Sequence, residues 1–326
     1  MSINIRAFND SDIDGCVKLL QRGHTRQFTL ERFLWLHKQN PLAPSMVLVA
    51  EEDSNIIGCY AAIKKHVAVN GQIFVGARDV DPVVHPDYRG RGVFSQLLAE
   101  ALKLEAGIDF HINFANDSSL PGFVKAGWVQ IGSVPECFYQ MTWQQFTVKQ
   151  IVSWGLSSFK SPLPGPVKPG TGTVVTPVFD DMKADTGTGV AVVRSADYLR
   201  WRYVDNPFNK YQFVVDDVNG VAANMVIGIH SQDKKTFYAT DFLSREPFEQ
   251  YSLKWLLVYL QQQGISALRT WKGCPAPVIQ QLVCNPMNKN LGGIRVLVKK
   301  GAGSKVPDDI FDLERWTITP GDLESI

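Results

Sequence analysis

The sequence predicts an α/β fold of two domains, each an α+β mixed, mostly antiparallel sheet with helices on both faces. Three observations predict it. The chain is 326 residues long, more than a single core usually serves. A stretch rich in Pro and Gly, SSFKSPLPGPVKPGTG, divides two regions that each show periodic apolar patterns. An internal repeat links those regions: ERFLWLHKQNP at 31–41 and DYLRWRYVDNP at 197–207 align Trp35 with Trp201, Asn40 with Asn206 and Pro41 with Pro207. In both copies a strand-like run, a polar turn and a second apolar run follow, so duplication is the better reading than chance. The expected division is 1–150, a linker at 151–172, and 173–326.

The elements follow from periodicity. Helices are expected over 13–21 and 30–38, then a hairpin around Asp53-Ser54-Asn55. A strand pair through 66–69 and 74–84 turns at Asn70-Gly71. The next helix starts at Val93 and runs to about residue 105, with Phe94, Leu97, Leu98, Ala101 and Leu102 at helical spacing and Gly107 as its stop. A strand at 110–114, a short helix near 122–126 and a strand at 128–134 complete the first half. In the second half, strands are expected at 236–243, 266–271 and 294–299, with helices at 247–262 and 276–282. The group Trp201, Tyr203, Phe208, Tyr211 and Trp255 reads as core.

Bulk composition excludes several functions. A formal net charge of +1 gives no footprint for nucleic acid or an anionic membrane. The five cysteines are widely spaced without C-x-x-C, which argues against a disulfide framework or zinc knuckle. Met1 to Arg6 has no apolar signal region, and the longest apolar run, 255–260, is too short to span a bilayer. A cytoplasmic protein, monomer or homodimer, is the expectation. No metal is expected, because the six histidines form no H-E-x-x-H and no i, i+4 pair.

One segment carries chemistry: Val83-Val84-His85-Pro86-Asp87-Tyr88-Arg89-Gly90-Arg91-Gly92-Val93-Phe94. A strand end, a glycine-containing loop and an amphipathic helix make an anion site. Glycines let successive N–H groups turn inward, and the helix start adds unpaired donors and a positive dipole end. Arg89 and Arg91 add charge, and a phosphate or pyrophosphate is the natural ligand. A solvated charged turn, a fragment of an Arg-Gly tract and a nucleotide loop are the competing readings. An Arg-Gly tract would repeat, and neither G-x-x-x-x-G-K-S/T nor G-x-G-x-x-G occurs here.

This segment resembles the GNAT superfamily of acyl-coenzyme A N-acyltransferases. That family carries R/Q-x-x-G-x-G/A between its fourth strand and third helix, which reads here as Arg89-Gly90-Arg91-Gly92-Val93-Phe94 after Val84-x-Pro86. Phe94 departs from the usual Gly or Ala. A second signature, Asn with Tyr seven residues on and Gly-Phe after it, reads as Asn116, Phe123, Gly127 and Trp128. The resemblance covers about residues 1–145, and the rest only through the repeat, which makes the second half a GNAT-like domain without a phosphate loop. It implies acetyl-CoA, or another acyl-CoA, as co-substrate. Gly90, Arg91, Gly92, Val93, Phe94 and Ser95, with Arg89, would hold the pyrophosphate; Val84 would bind the pantetheine arm; Asn116 and Phe123 would lie near the thioester. Pro82, on the same edge, lacks the N–H for one contact of that kind.

The resemblance also implies acyl transfer to a primary amine of a small molecule, amino sugar or peptide. The family's usual proton donor to the thiolate is a Tyr, and Phe123 stands in its place. Tyr88, His111 or Tyr139 could serve, the thiolate could leave unassisted, or the domain could bind CoA with little catalysis. For the base, Asp79 and Asp81 alternate on the strand before the loop, so both are expected on one face, and His85 lies nearer the thioester. Exposed carboxylates, or ion pairs with Arg78 or Arg6, are the competing reading for the two aspartates. The functional alternative to the enzyme is a non-catalytic CoA-binding or scaffold protein.

Overall fold

The structure is a computed structural model and describes residues 3–23, 28–104, 107–140, 179–182, 184, 189–218, 221–245, 253–276, 278 and 293–324. The linker expected at 151–172 lies outside them, as does most of the helix expected at 276–282. In chain order the first half forms β1 (Asn4–Ala7), α1 (Ile13–Gly23), α2 (Leu30–Lys38), β2 (Met46–Glu52), β3 (Asn55–Val69), β4 (Gln72–Val84), α3 (Val93–Lys103), β5 (Phe110–Ala115), α4 (Leu120–Lys125), β6 (Val129–Val134) and β7 (Glu136–Gln140). The second forms β8 (Val190–Val192), α5 (Ala196–Leu199) continued by a π-helical turn Arg200–Val204, β9 (Gln212–Val218), β10 (Val221–His230), β11 (Thr236–Ser244), α6 (Lys254–Gln262), β12 (Ala267–Trp271), β13 (Ile294–Lys300) and β14 (Trp316–Thr317).

Two mixed sheets result, as the sequence predicts. The first runs β1-β2-β3-β4-β5-β13-β6, with β8 on β3 and β14 on β8; the second runs β7-β12-β11-β10-β9. The sheets trade strands. β13, from the far end of the chain, lies antiparallel between β5 and β6. β7, from the first half, forms the edge of the second sheet against β12. The edge between sheets therefore does not follow the chain at residue 150, because β8, β13 and β14 complete the first sheet. The second strand of the hairpin around Asp53-Ser54-Asn55 and the strand expected at 66–69 are one continuous strand, β3. Cys137, on β7, is disulfide-bonded, one cross-link that the wide cysteine spacing does not foreshadow.

Layering comes from the apolar stripes. α1 and α2 cover one face of the first sheet through Cys16, Leu19, Leu20, Phe33 and Leu36. α3 and α4 cover the other through Val93, Leu97, Leu98, Ala101 and Phe123. The second sheet packs α6 through Trp255, Leu256, Tyr259 and Leu260. Trp201, Tyr203, Tyr211 and Trp255 are core residues, whereas Phe208 is partly exposed.

The duplication is visible in contacts. Trp35 and Trp201, 166 residues apart, stack with ring centroids 4.9 Å apart, and each indole N–H donates to the other's backbone carbonyl at 2.8 and 3.0 Å. The same separation relates β2 to β9 and β3 to β10. It also relates the hydroxyl caps of the two helices, Thr29 accepting from the Arg32 N–H and Ser195 accepting from the Tyr198 N–H. Asn40 and Asn206 make the same Asx turn, each side-chain oxygen accepting from the N–H two residues on. The repeated motif thus faces itself across an approximate two-fold axis.

Candidate active site

β4 and β5 are parallel and pair only from Gly76↔Phe110 to Arg78↔Ile112. Beyond Arg78 the strands part, and the gap opens into a groove of about 830 Å³. The loop after β4 forms one end of it. Gly90 and Gly92 both have φ +77°, a conformation that costs side-chain-bearing residues energy. Gly92 is the N-cap of α3, with no side-chain cap and no acidic residue in the first turn. The N–H groups of the first turn have no acceptor in their own helix and meet the positive end of its dipole. This end of the groove therefore offers unpaired N–H donors and a positive dipole end.

Most residues singled out from the sequence line the groove: Val84, Arg89, Gly90, Gly92, Val93, Phe94, Ser95 and Asn116, together with Asp79, Asp81 and Tyr88. Arg91 does not line it; its guanidinium lies 4.7 Å over the Tyr88 ring. The Asn116 side-chain oxygen accepts from the N–H groups of Ser118 and Ser119 and from the Ser118 hydroxyl.

Three expectations need correction. Phe123 is fully buried and does not line the groove. It lies edge-on beneath Phe94, with centroids 5.4 Å apart. Gly122 makes room for that ring, since a Cβ there would approach Phe94 Cε1 to 2.2 Å. This is why a large residue is tolerated at position 94. His85 is also outside the groove lining, its Nε2 2.7 Å from Arg22 Nη1 and its Nδ1 3.7 Å from Asp87.

The third correction concerns the two aspartates, which do not share a face. The β3–β4 register slips between Cys59 and Ala61, and Asp81 in the bulge has φ +53°. A bulge adds a residue and re-aims its side chain. Asp79 turns to the α3 side, where Tyr60 Oη donates to Oδ1 at 2.5 Å and His111 Nδ1 lies 2.8 Å from the same oxygen. Asp81 turns to the α2 side, with His37 Nε2 3.3 Å from its Oδ2. Neither pairs with Arg6, which bonds Asp12 and Glu51. Tyr88 keeps its place on the rim, and a hydrogen bond with Glu52 raises its pKa above the usual phenol value. Tyr139 belongs to the second sheet and packs against that sheet's core.

Other lining residues carried no signal in the sequence: Arg32, Arg78, Asn113, Leu323 and Glu324. Glu324, almost at the chain end, is buried in ion pairs with Lys65 and Arg78. The terminal segment is held there by Arg202, whose Nε and Nη2 donate to the carbonyls of Gly321 and Leu323 at 3.1 and 2.6 Å.

Residues 4–131 match the family model described as acetyltransferase (GNAT) domain. Over that stretch the chain is similar to an acetyltransferase (GNAT) domain. Solved structures agree in fold. A probable N-acyltransferase from Enterococcus faecalis superposes with a TM-score of 0.66 at 14% identity, covering 92% of this chain and 72% of that one. A GCN5-related N-acetyltransferase from Anabaena variabilis gives 0.63 at 12% identity, over 92% and 73%. The N-myristoyltransferase of Saccharomyces cerevisiae, with bound myristoyl-CoA, gives 0.55 at 10% identity, over 97% and 88%. At such identities the likeness is one of fold. No curated protein matches the chain. The coverage shows that the likeness in fold extends past residue 131 into the second half.

Proposed function

We propose that the protein is an N-acyltransferase that moves an acyl group, acetyl in the simplest case, from acyl-CoA to a primary amine by direct attack. The observation that carries this reading is the loop of Gly90 and Gly92, both left-handed, opening α3 beside the gap between β4 and β5. The N–H groups of the loop and first helical turn would hold the pyrophosphate. The pantetheine arm would lie in the gap, between the Val84 edge and Asn113 and Asn116. Backbone N–H groups at the end of β4 would stabilise the oxyanion, with Pro82 unable to contribute. The likeness to a myristoyl-CoA-binding fold is compatible with longer acyl groups, and an amino sugar, small amine or peptide N-terminus would serve as acceptor.

The amine must attack without its extra proton. Asp81 is the carboxylate we assign to this step. It lines the groove on the α2 side, it is held by His37, and its strained φ is of the kind concentrated at functional sites. Tyr88 would close the rim, and His85 would shape the loop from outside. The absence of a hydroxyl on Phe123 and of an N–H on Pro82 favours a second reading, a scaffold that binds CoA without turnover.

The test is CoA release from acetyl-CoA with glucosamine, spermidine and a glycine-initiated peptide, each alone. Turnover with one amine, reduced roughly 100-fold or more by Asp81→Asn, supports the reading. Acetyl-CoA binding without release in any mixture would favour the scaffold.

A further inference from the structure

The acyl-transfer reading leaves a chemical gap, because the residue in the place of the usual thiol-protonating Tyr is Phe123 and cannot donate. It also leaves a buried polar cluster unused. Tyr60, Asp79 and His111 are all at most 3% exposed and meet at one carboxylate oxygen. The second oxygen, Asp79 Oδ2, is buried with no hydrogen-bond partner among the described residues. Burying a carboxylate is expensive, and a cluster of this kind is weak evidence of a role in stability.

Its position matches the gap. Asp79 is the first residue past the last β4–β5 pair, where the strands part, and it lines the groove. The cluster also adjoins Phe123: His111 packs on Trp128 at 5.7 Å, and Trp128 on Phe123 at 5.2 Å. Polar function lost from α4 is thus present one aromatic layer away, on β3, β4 and β5.

We propose that Asp79 passes a proton to the departing CoA sulfur, with Tyr60 and His111 as positioning residues that hold the carboxyl. The amine nitrogen bonds to the acyl carbon, the carbon–sulfur bond breaks with its electron pair going to sulfur, and sulfur takes the proton from Asp79. Asp79 regains a proton from water that enters the groove once CoA leaves, and the proton lost by the amine leaves through Asp81 to water. Charge and atoms balance without a co-reactant. The inference rests on the acyl-transfer reading.

The experiment compares acetyl-CoA with its selenoester analogue, using the amine found in the acceptor screen. The selenolate is a much better leaving group and needs no proton, while the nucleotide handle is unchanged. Asp79→Asn should lower kcat with the thioester roughly 100-fold, leave KM for acetyl-CoA within about twofold, and lose less than about threefold with the selenoester. Tyr60→Phe removes one oxygen only and should show the same leaving-group pattern at about tenfold; it decides the matter if Asp79→Asn does not fold. Equal losses on both donors, or no loss on either, would overturn the proposal and leave acyl transfer standing. A wild type that releases no CoA from either donor would overturn both.

Discussion

The two copies of the repeated unit use equivalent aspartates in opposite ways. Register fixes the equivalence, since Val84 pairs with Gly58 and Ser244 with Asn224, and Asp81 and Asp241 each lie three residues before those strand ends. Each receives the residue that follows the repeat's tryptophan by two: His37 on Asp81, Tyr203 on Asp241. Around Asp241 the rest is closed. Arg194 grips both carboxylate oxygens at 2.9 Å, Thr319 donates to Oδ1 at 2.5 Å, and Gly321 packs so tightly that a Cβ would lie 2.5 Å from Oδ2. The position equivalent to Arg194 in the first copy is Phe28, a groove-lining residue. One copy has turned its carboxylate into a fastening for the C-terminal segment. The other presents it to a groove. A duplicated scaffold can separate structure from chemistry this way, because each copy relieves the other of one task.

The largest expected effect lies at the buried Asp241. Asp241→Asn or Arg194→Ala removes half of a buried pair and should destabilise the fold by about 3–5 kcal/mol, read as a shift of the urea midpoint. Asp81→Asn should cost less than about 1.5 kcal/mol while removing most turnover. Equal destabilisation by the Asp81 and Asp241 variants would erase the distinction. Of similar size to the first effect, Trp35→Ala should cost about 3–5 kcal/mol, because Trp201 loses its stacking and hydrogen-bonding partner as well. A double-mutant cycle with Trp201→Ala should show strong coupling, and additive effects would deny that the axis is a shared core. A fragment of residues 1–150 should fail to give cooperative unfolding, since it lacks the β13 that fills the first sheet. The smallest effect is local: Glu52→Gln should move the Tyr88 phenol back down toward its usual value, seen by ultraviolet titration against the Tyr88→Phe background.

Much of the first half was legible because its signals are local. Apolar spacing places α1 to α4, and the glycines of Arg89-Gly90-Arg91-Gly92 read directly as left-handed positions before a helix. The repeat was legible through Trp35 and Trp201, though not that they touch. The strand trade was not legible, because pairing β13 with β5 and β6 is a long-range choice with no mark in either strand. Period-two reasoning placed Asp79 and Asp81 together and failed at a bulge that no glycine announces. The motif makes Phe123 a ligand contact, but Phe94 covers it, and only Gly122 hints at that. Glu324 reaches the groove from the chain end through contacts that no spacing encodes.

We propose that one copy, and only one, holds acyl-CoA, at the Gly90–Gly92 loop. Calorimetric titration of acetyl-CoA into wild type and Gly92→Glu tests it directly. One site per chain is expected in the wild type and at least a roughly 100-fold loss of affinity in the variant, which forces a side chain into φ +77° and sets a negative charge at the helix start. Two sites per chain, or affinity unchanged by Gly92→Glu, would contradict it.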